Sequence, residues 1–171
     1  MMRTQAIVYT SNTGSTAHYA KLLSQETGLP VYSADEAKKQ LPNHSEIIYL
    51  GWIMASSVKG YRNAAKRYQI RAVCAVGMCQ TGKQIKEVRE NNAIPDSVPL
   101  FTLQGNFDIK KLHGIYGILM NIMVKTSGKA LTEKSDRTPE ENDMLDMMLN
   151  GSERVCLENL KAVLDWYNKS E

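Results

Sequence analysis

The 171-residue chain is poor in cysteine and in histidine, with three of each. Cys74, Cys79 and Cys156 form no C-x-x-C pair, and His18, His44 and His113 are scattered through the sequence. This pattern excludes a disulfide framework and a structural zinc site, and it fits thiols kept in a reducing cytoplasm. No metal ligand set and no catalytic constellation emerges. Long apolar runs are also missing. The apolar, charge-free stretch Leu112–Val124 is about 13 residues and too short to cross a bilayer. Met1-Met2-Arg3-Thr4-Gln5 leads straight into apolar residues, so no signal peptide is expected. Acid is scarce between Ala55 and Arg89, where Glu87 stands against Lys59, Arg62, Lys66, Arg67, Arg71, Lys83, Lys86 and Arg89. Two readings fit: solvated helix faces, or a basic surface for an acidic partner or an anionic membrane. These bases are not interleaved with exposed aromatics, and the net charge is only +3, so nucleic acid is not expected.

The rest of the composition, 43% hydrophobic and 23% charged, is that of an ordinary globular protein. One domain covering residues 1–171 is expected. Apolar segments at 5–10, 31–33, 46–50, 72–78 and 98–103 read as strands covered on both faces. Helices are expected between them. The first runs from near Thr13 to Gly28. The second starts on a capping box at Ser33–Glu36, the third carries a stripe of Val58, Tyr61, Ala65 and Tyr68, and the fourth, near 81–90, buries Ile85 and Val88. This alternation predicts a three-layer α/β/α sandwich on a five-stranded parallel sheet, order 2-1-3-4-5. A helical insertion, residues 109–150, follows the fifth strand. It contains the apolar Leu112–Val124 stretch, read as a buried or an interfacial helix, then a charged segment at 129–137. A helix then starts at Thr138-Pro139 and ends at Asn150-Gly151. A last helix places Cys156, Leu160, Val163, Leu164 and Tyr167 on one face.

The most informative segment follows the first strand: Thr10-Ser11-Asn12-Thr13-Gly14-Ser15-Thr16. A strand opening through a hydroxyl-rich turn into a helix forms an anion site, because the first-turn N–H groups and the helix dipole favour negative charge. A P-loop ends in Gly-Lys-Ser/Thr, and here there is no Lys. A dinucleotide loop needs three glycines, and here there is only Gly14. A Mg²⁺-binding receiver site needs carboxylates where Tyr9-Thr10 and Leu50-Gly51 stand.

The remaining neutral loop resembles the FMN phosphate loop of the flavodoxin family, S/T-x-T-G-x-T. Ser11, Thr13, Gly14 and Thr16 match it, with Asn12 and Ser15 at the free positions. The resemblance implies a non-covalent FMN. It also implies two flavin loops: Gly51, Trp52, Ile53, Met54 and Ala55 after the third strand, with Trp52 stacking on the ring, and Gly77, Met78, Cys79, Gln80, Thr81 and Gly82 after the fourth. Cys79 is read as a neutral filler rather than a redox thiol. Asn106 of the Gly105–Asp108 turn closes the third side. Both flavin loops lack acid and Lys83 follows closely, so the FMN potential is expected to be less negative than in ordinary flavodoxins. The insertion is similar to that of menaquinone-dependent protoporphyrinogen dehydrogenases of the same superfamily. Three functions follow as expectations: a cytoplasmic FMN electron carrier with a protein or quinone redox partner; a quinone-linked flavoenzyme touching the membrane through Leu112–Val124 and the basic helices; or a cofactor-free regulatory module.

Overall fold

A computed structural model describes residues 3–107 and 114–170. In chain order the elements are β1 (Ala6–Thr10), α1 (Ser15–Thr27), β2 (Val31–Ser33), α2 (Ala34–Gln40), β3 (Glu46–Met54), β4 (Ser57–Val58), α3 (Tyr61–Arg67), β5 (Gln69–Gly77), α4 (Ile85–Asn92), β6 (Leu100–Gln104), α5 (Gly114–Glu133), α6 (Pro139–Asn150), a 3₁₀ turn (Leu157–Leu160) and α7 (Lys161–Ser170). The sheet runs β2-β1-β3-β5-β6, with all these pairs parallel. Counting the parallel strands alone, that is the expected 2-1-3-4-5 order of a flavodoxin-like sandwich. The one addition is β4, which folds back antiparallel on the end of β3.

Strict side-chain alternation explains why the strands read as continuous apolar runs. In β3, Ile47 and Tyr49 point into one core and Ile48 and Leu50 into the other, all fully buried. The first core is closed by Ala37 of α2, Tyr61 and Ala64 of α3 and Val88 of α4. The second is closed by Tyr19, Ala20 and Leu23 of α1 and by Leu160, Val163 and Tyr167 at the C-terminus. Local signals set several element ends. Ser33 and Thr138 each accept from the amide three residues on, while Glu36 and Glu141 reach back to the cap amides. Gly28 ends α1 in the left-handed conformation.

Several expectations are corrected. The third strand does not stop at Leu50 but continues to Met54. The α3 stripe uses Ala64, and Ala65 is exposed, because the helix begins only at Tyr61 and Val58 belongs to β4. The fourth helix starts at Ile85, which is 37% exposed, and only Val88 of the expected pair is buried. Cys156 is exposed ahead of the 3₁₀ turn rather than on the core face of the last helix, and Leu164 is half-buried. The apolar helix runs on to Glu133 and takes in the start of the expected charged segment. Its first expected residue, Leu112, lies outside the described residues, as do Asp108 and His113. The side chains of Ile115, Tyr116, Ile118, Leu119 and Met123 lie outside them too. Ile122 is 56% exposed.

The chain leaves the sheet at Phe107 and returns at Ser152, and these two residues exchange backbone hydrogen bonds of 3.0 and 3.1 Å. Between them α5 packs on α6. Arg137 donates to the carbonyls of Leu131 and Lys134 at the end of α5, satisfying groups that the helix leaves unpaired. Buried Met147 and a polar relay hold α6 to the sheet. In that relay Gln104 Nε2 donates to Asp143 at 3.1 Å, and Asp143 pairs with Arg154 at 2.7 Å.

Candidate functional site

The register brings the carboxyl ends of β1, β3, β5 and β6 to one edge: Thr10 lies beside Gly51, Gly51 beside Ala75, and Ala75 beside Thr102. β2 lies on one side of β1 and β3 on the other, so the connections on either side of β1 run in opposite directions. That is the switch point where ligands of such sheets bind. The 10–16 loop sits there. Gly14 caps α1 at φ +107°, a conformation strained for any side chain, so this position requires glycine for its backbone. No side chain caps the helix, which leaves its first-turn N–H groups aimed into the loop.

Among the described residues, Ser11 Oγ and Asn12 Nδ2 are buried without any hydrogen-bond partner. Two neighbouring orphaned polar atoms are costly in a protein interior, and a ligand rich in acceptor oxygens satisfies both. Ser15 is used differently: its Oγ accepts from the Asn106 amide at 3.0 Å, tying the start of α1 to the turn after β6. Gly105 makes that approach possible, since a Cβ there would stand 3.2 Å from Ser15 Cβ. Thr16 is 1% exposed at the floor.

A cleft lined by Asn12, Thr13, Ser15, Thr16, Trp52, Ile53, Val76, Gly77, Met78, Gly105, Asn106 and Phe107 gathers residues from all four expected loops. A second cleft of about 970 Å³ adjoins it and shares Ile53, Gly77 and Met78. Met54, Ala55 and Cys79 line this larger space from the sheet side. Ser127, Ala130, Leu131, Met144 and Met148 line it from α5 and α6. Gln80 faces a third cavity with Lys83, Glu140 and Asp143.

Some expected site residues take other roles. Gly51 is not in a loop: it is buried within β3, where a Cβ would overlap Val58 Cγ1 and the Lys59 carbonyl. Thr81 accepts from the Gln104 amide at 3.0 Å and Gly82 donates to the Thr102 carbonyl, so this part of the second loop is stitched to β6. The Asn106 side-chain oxygen accepts from the Arg154 and Val155 amides and anchors the C-terminal segment. Burial, and secondarily the Glu87 carboxylate, pushes the Cys79 thiol above its ordinary pKa, which keeps it a neutral thiol at pH 7.

No protein-family model, curated protein or solved structure matches the chain. The site therefore rests on its own geometry.

Two charged groups at the rim come from outside the loops. Lys59 Nζ lies 5.8 Å from the Trp52 ring centroid, within cation–π range. Glu87 of α4 accepts a hydrogen bond from Ser56 Oγ, so the rim does carry an acid although the loops at 51–55 and 77–82 have none of their own. The basic stretch is partly spent internally. Arg89 donates to the carbonyls of Ile94, Pro95 and Val98, Arg67 to that of Lys38, and Arg71 meets Glu46 at 3.5 Å.

Residues that the sequence left unmarked complete the site: Gln104 and Asp143, which hold the Met78 carbonyl and α6; Met144 and Met148; and Asn92. Asn92 carried no signal because the expected helix ended two residues before it.

Proposed function

We propose that this chain is an FMN-binding, flavodoxin-like redox protein. The observation that carries the reading is the pair of orphaned buried groups, Ser11 Oγ and Asn12 Nδ2, beside an uncapped helix N-terminus at the sheet's switch point. Among phosphate ligands, FMN suits the site best. The loop has no lysine to offset a triphosphate, and an apolar cleft walled by Trp52, Ile53 and Met78 begins directly beside it. Ser11, Asn12, Thr13 and the first-turn amides of α1 would hold the phosphate, and Trp52 and Met78 would flank the ring. FMN bound there supplies one-electron and hydride transfer; the protein's part is to bind, orient and exclude water.

Titrating the purified protein with FMN tests this reading. The expected results are quenched flavin fluorescence, a structured visible spectrum, and weaker binding of riboflavin, which lacks the phosphate. A protein that takes up neither would be the cofactor-free module instead.

A second reading, a quinone-linked flavoenzyme of the protoporphyrinogen dehydrogenase type, is favoured by the adjoining cleft. Its volume of about 970 Å³ is at the upper end of the range for organic ligands, and α5 and α6 roof it. Anaerobic oxidation of protoporphyrinogen with a menaquinone analogue separates the readings: turnover assigns an enzyme, and its absence with FMN bound leaves an electron carrier. Among the described residues no helix is long and apolar enough to cross a membrane. Peripheral contact through α5 is part of this second reading and is checked by flotation with anionic liposomes.

A further inference from the structure

The cleft wall that carries Trp52, Ile53 and Met54 is where β3 runs out of parallel partners: its pairing with β5 ends at Trp52, and beyond it Ile53 and Met54 pair only with β4. β4 is two residues long, and so short a strand pair contributes little stability of its own. Its two-residue turn, Ala55-Ser56, has both residues left-handed, at φ 47° and 59°. That is the primed turn that suits hairpins, and it favours Asn-Gly. Alanine and serine are strained there, because a left-handed backbone crowds Cβ against the following carbonyl oxygen.

The hairpin is gripped from α4 instead. Asn92, the last residue of that helix, is 4% exposed. Its Oδ1 accepts from the Val58 amide at 2.8 Å, and its Nδ2 donates to the carbonyls of Ser56 at 2.8 Å and Val88 at 2.7 Å. One carboxamide thus ties the turn, the return strand and its own helix together. Only a carboxamide offers an acceptor and two donors in this arrangement. An aspartate would set its oxygens against two carbonyls. Glu87, one turn earlier on the same helix, adds its contact with Ser56 Oγ.

We propose that Asn92 is a positioning residue for the ligand cleft: it holds the strained hairpin closed and thereby fixes Trp52 as the wall against which a flavin ring stacks. The last clause rests on the FMN reading; the clamp itself does not.

The test uses the full chain with Trp166→Phe, which leaves Trp52 as the sole tryptophan of the two in the sequence. Asn92→Ala is expected to raise acrylamide quenching of Trp52 in the ligand-free protein. It should also weaken FMN binding by roughly tenfold or more, through lost ordering of an aromatic contact. The ratio of FMN to riboflavin affinity should stay unchanged, because the phosphate loop is on another strand. Adding Ala55→Gly, which relieves turn strain and leaves the Ser56–Glu87 contact in place, should recover most of the affinity, with thermal melts confirming that every variant is folded at the assay temperature. If Asn92→Ala does not fold, Ser56→Pro breaks the turn from the hairpin side, since proline cannot adopt a positive φ. Unchanged quenching overturns the clamp. Changed quenching with unchanged FMN affinity overturns the positioning role. If the parent protein binds no FMN while Asn92→Ala still frees Trp52, the clamp stands and the FMN reading falls.

Discussion

Replacing Ser11 by alanine should move stability and affinity in opposite directions. In the free protein the Ser11 hydroxyl is buried and lacks a partner. A buried unsatisfied polar group costs about 1–3 kcal/mol, so its removal should stabilise the ligand-free protein by about 1 kcal/mol. For a chain of this size that is a rise in Tm of about 2–4 °C. With FMN the sign reverses. A hydrogen bond to a charged phosphate contributes about 1.5–3 kcal/mol, which corresponds to a Kd weakened by about 10- to 150-fold. Riboflavin affinity should not change. Thermal melts without ligand and fluorescence titrations with FMN and with riboflavin measure all three quantities. Asn12→Ala should behave alike, and because both groups face one ligand the double variant should cost less than the sum. A lower Tm for ligand-free Ser11→Ala, or an equal loss of FMN and riboflavin affinity, would refute the reasoning: the hydroxyl would then be serving the fold.

Other outcomes follow from single contacts. Gly60→Ala should destabilise by about 3 kcal/mol or more, measured by urea denaturation. Gly60 sits at φ +80°, and an added Cβ would overlap Tyr49 Oη and approach Thr10 Oγ1 to 2.6 Å. That also breaks the bridge from Tyr49 to Thr10 and the Lys59 carbonyl, which spans the 10–16 loop and the hairpin. A thiol reagent at pH 8 should label exposed Cys156 first and Cys79 slowly. It should reach Cys74, whose pKa burial pushes up to about 12, only after denaturation. Glu141 has its pKa lowered, chiefly by the Lys134 ammonium and then by the Thr138 amide. Its contribution to stability is therefore present above the ordinary carboxylate pKa and lost as pH falls through the lower folded value. Glu141→Gln should flatten that acid limb in a series of melts from pH 6 to pH 2.

Where a local pattern has one physical solution, the sequence was enough. Alternating burial on two faces demanded the continuous apolar strands, and their alternation with helices left the doubly wound sheet. Ser33 and Thr138 with a glutamate three residues on marked helix starts because both halves of the capping box lie within one turn. The 10–16 loop was legible as a turn between a strand and a helix N-terminus for the same reason, since the three are contiguous. Tertiary contacts decided the rest. Nothing local distinguishes Gly51 in a loop from Gly51 beneath Val58, because the difference lies in a return strand of only two residues. Ala64 and Ala65 exchange places with a shift of one residue in the helix start. Asn92 looks like any polar residue at a helix end, and only packing α4 against the hairpin gives its carboxamide three partners.

The sequence by itself thus determined the sheet, its order and the strand–turn–helix arrangement of the 10–16 loop, because these follow from periodicity and contiguous backbone chemistry. Tertiary structure alone decided that Ser15 and Asn106 brace each other while Ser11 and Asn12 stay unpaired. It also decided that a strained hairpin held from α4 walls the cleft and that α5 and α6 roof the larger space beside it. Those outcomes depend on which distant groups meet, and a hydrogen bond between residues as far apart as Ser15 and Asn106 leaves no trace in the local pattern around either.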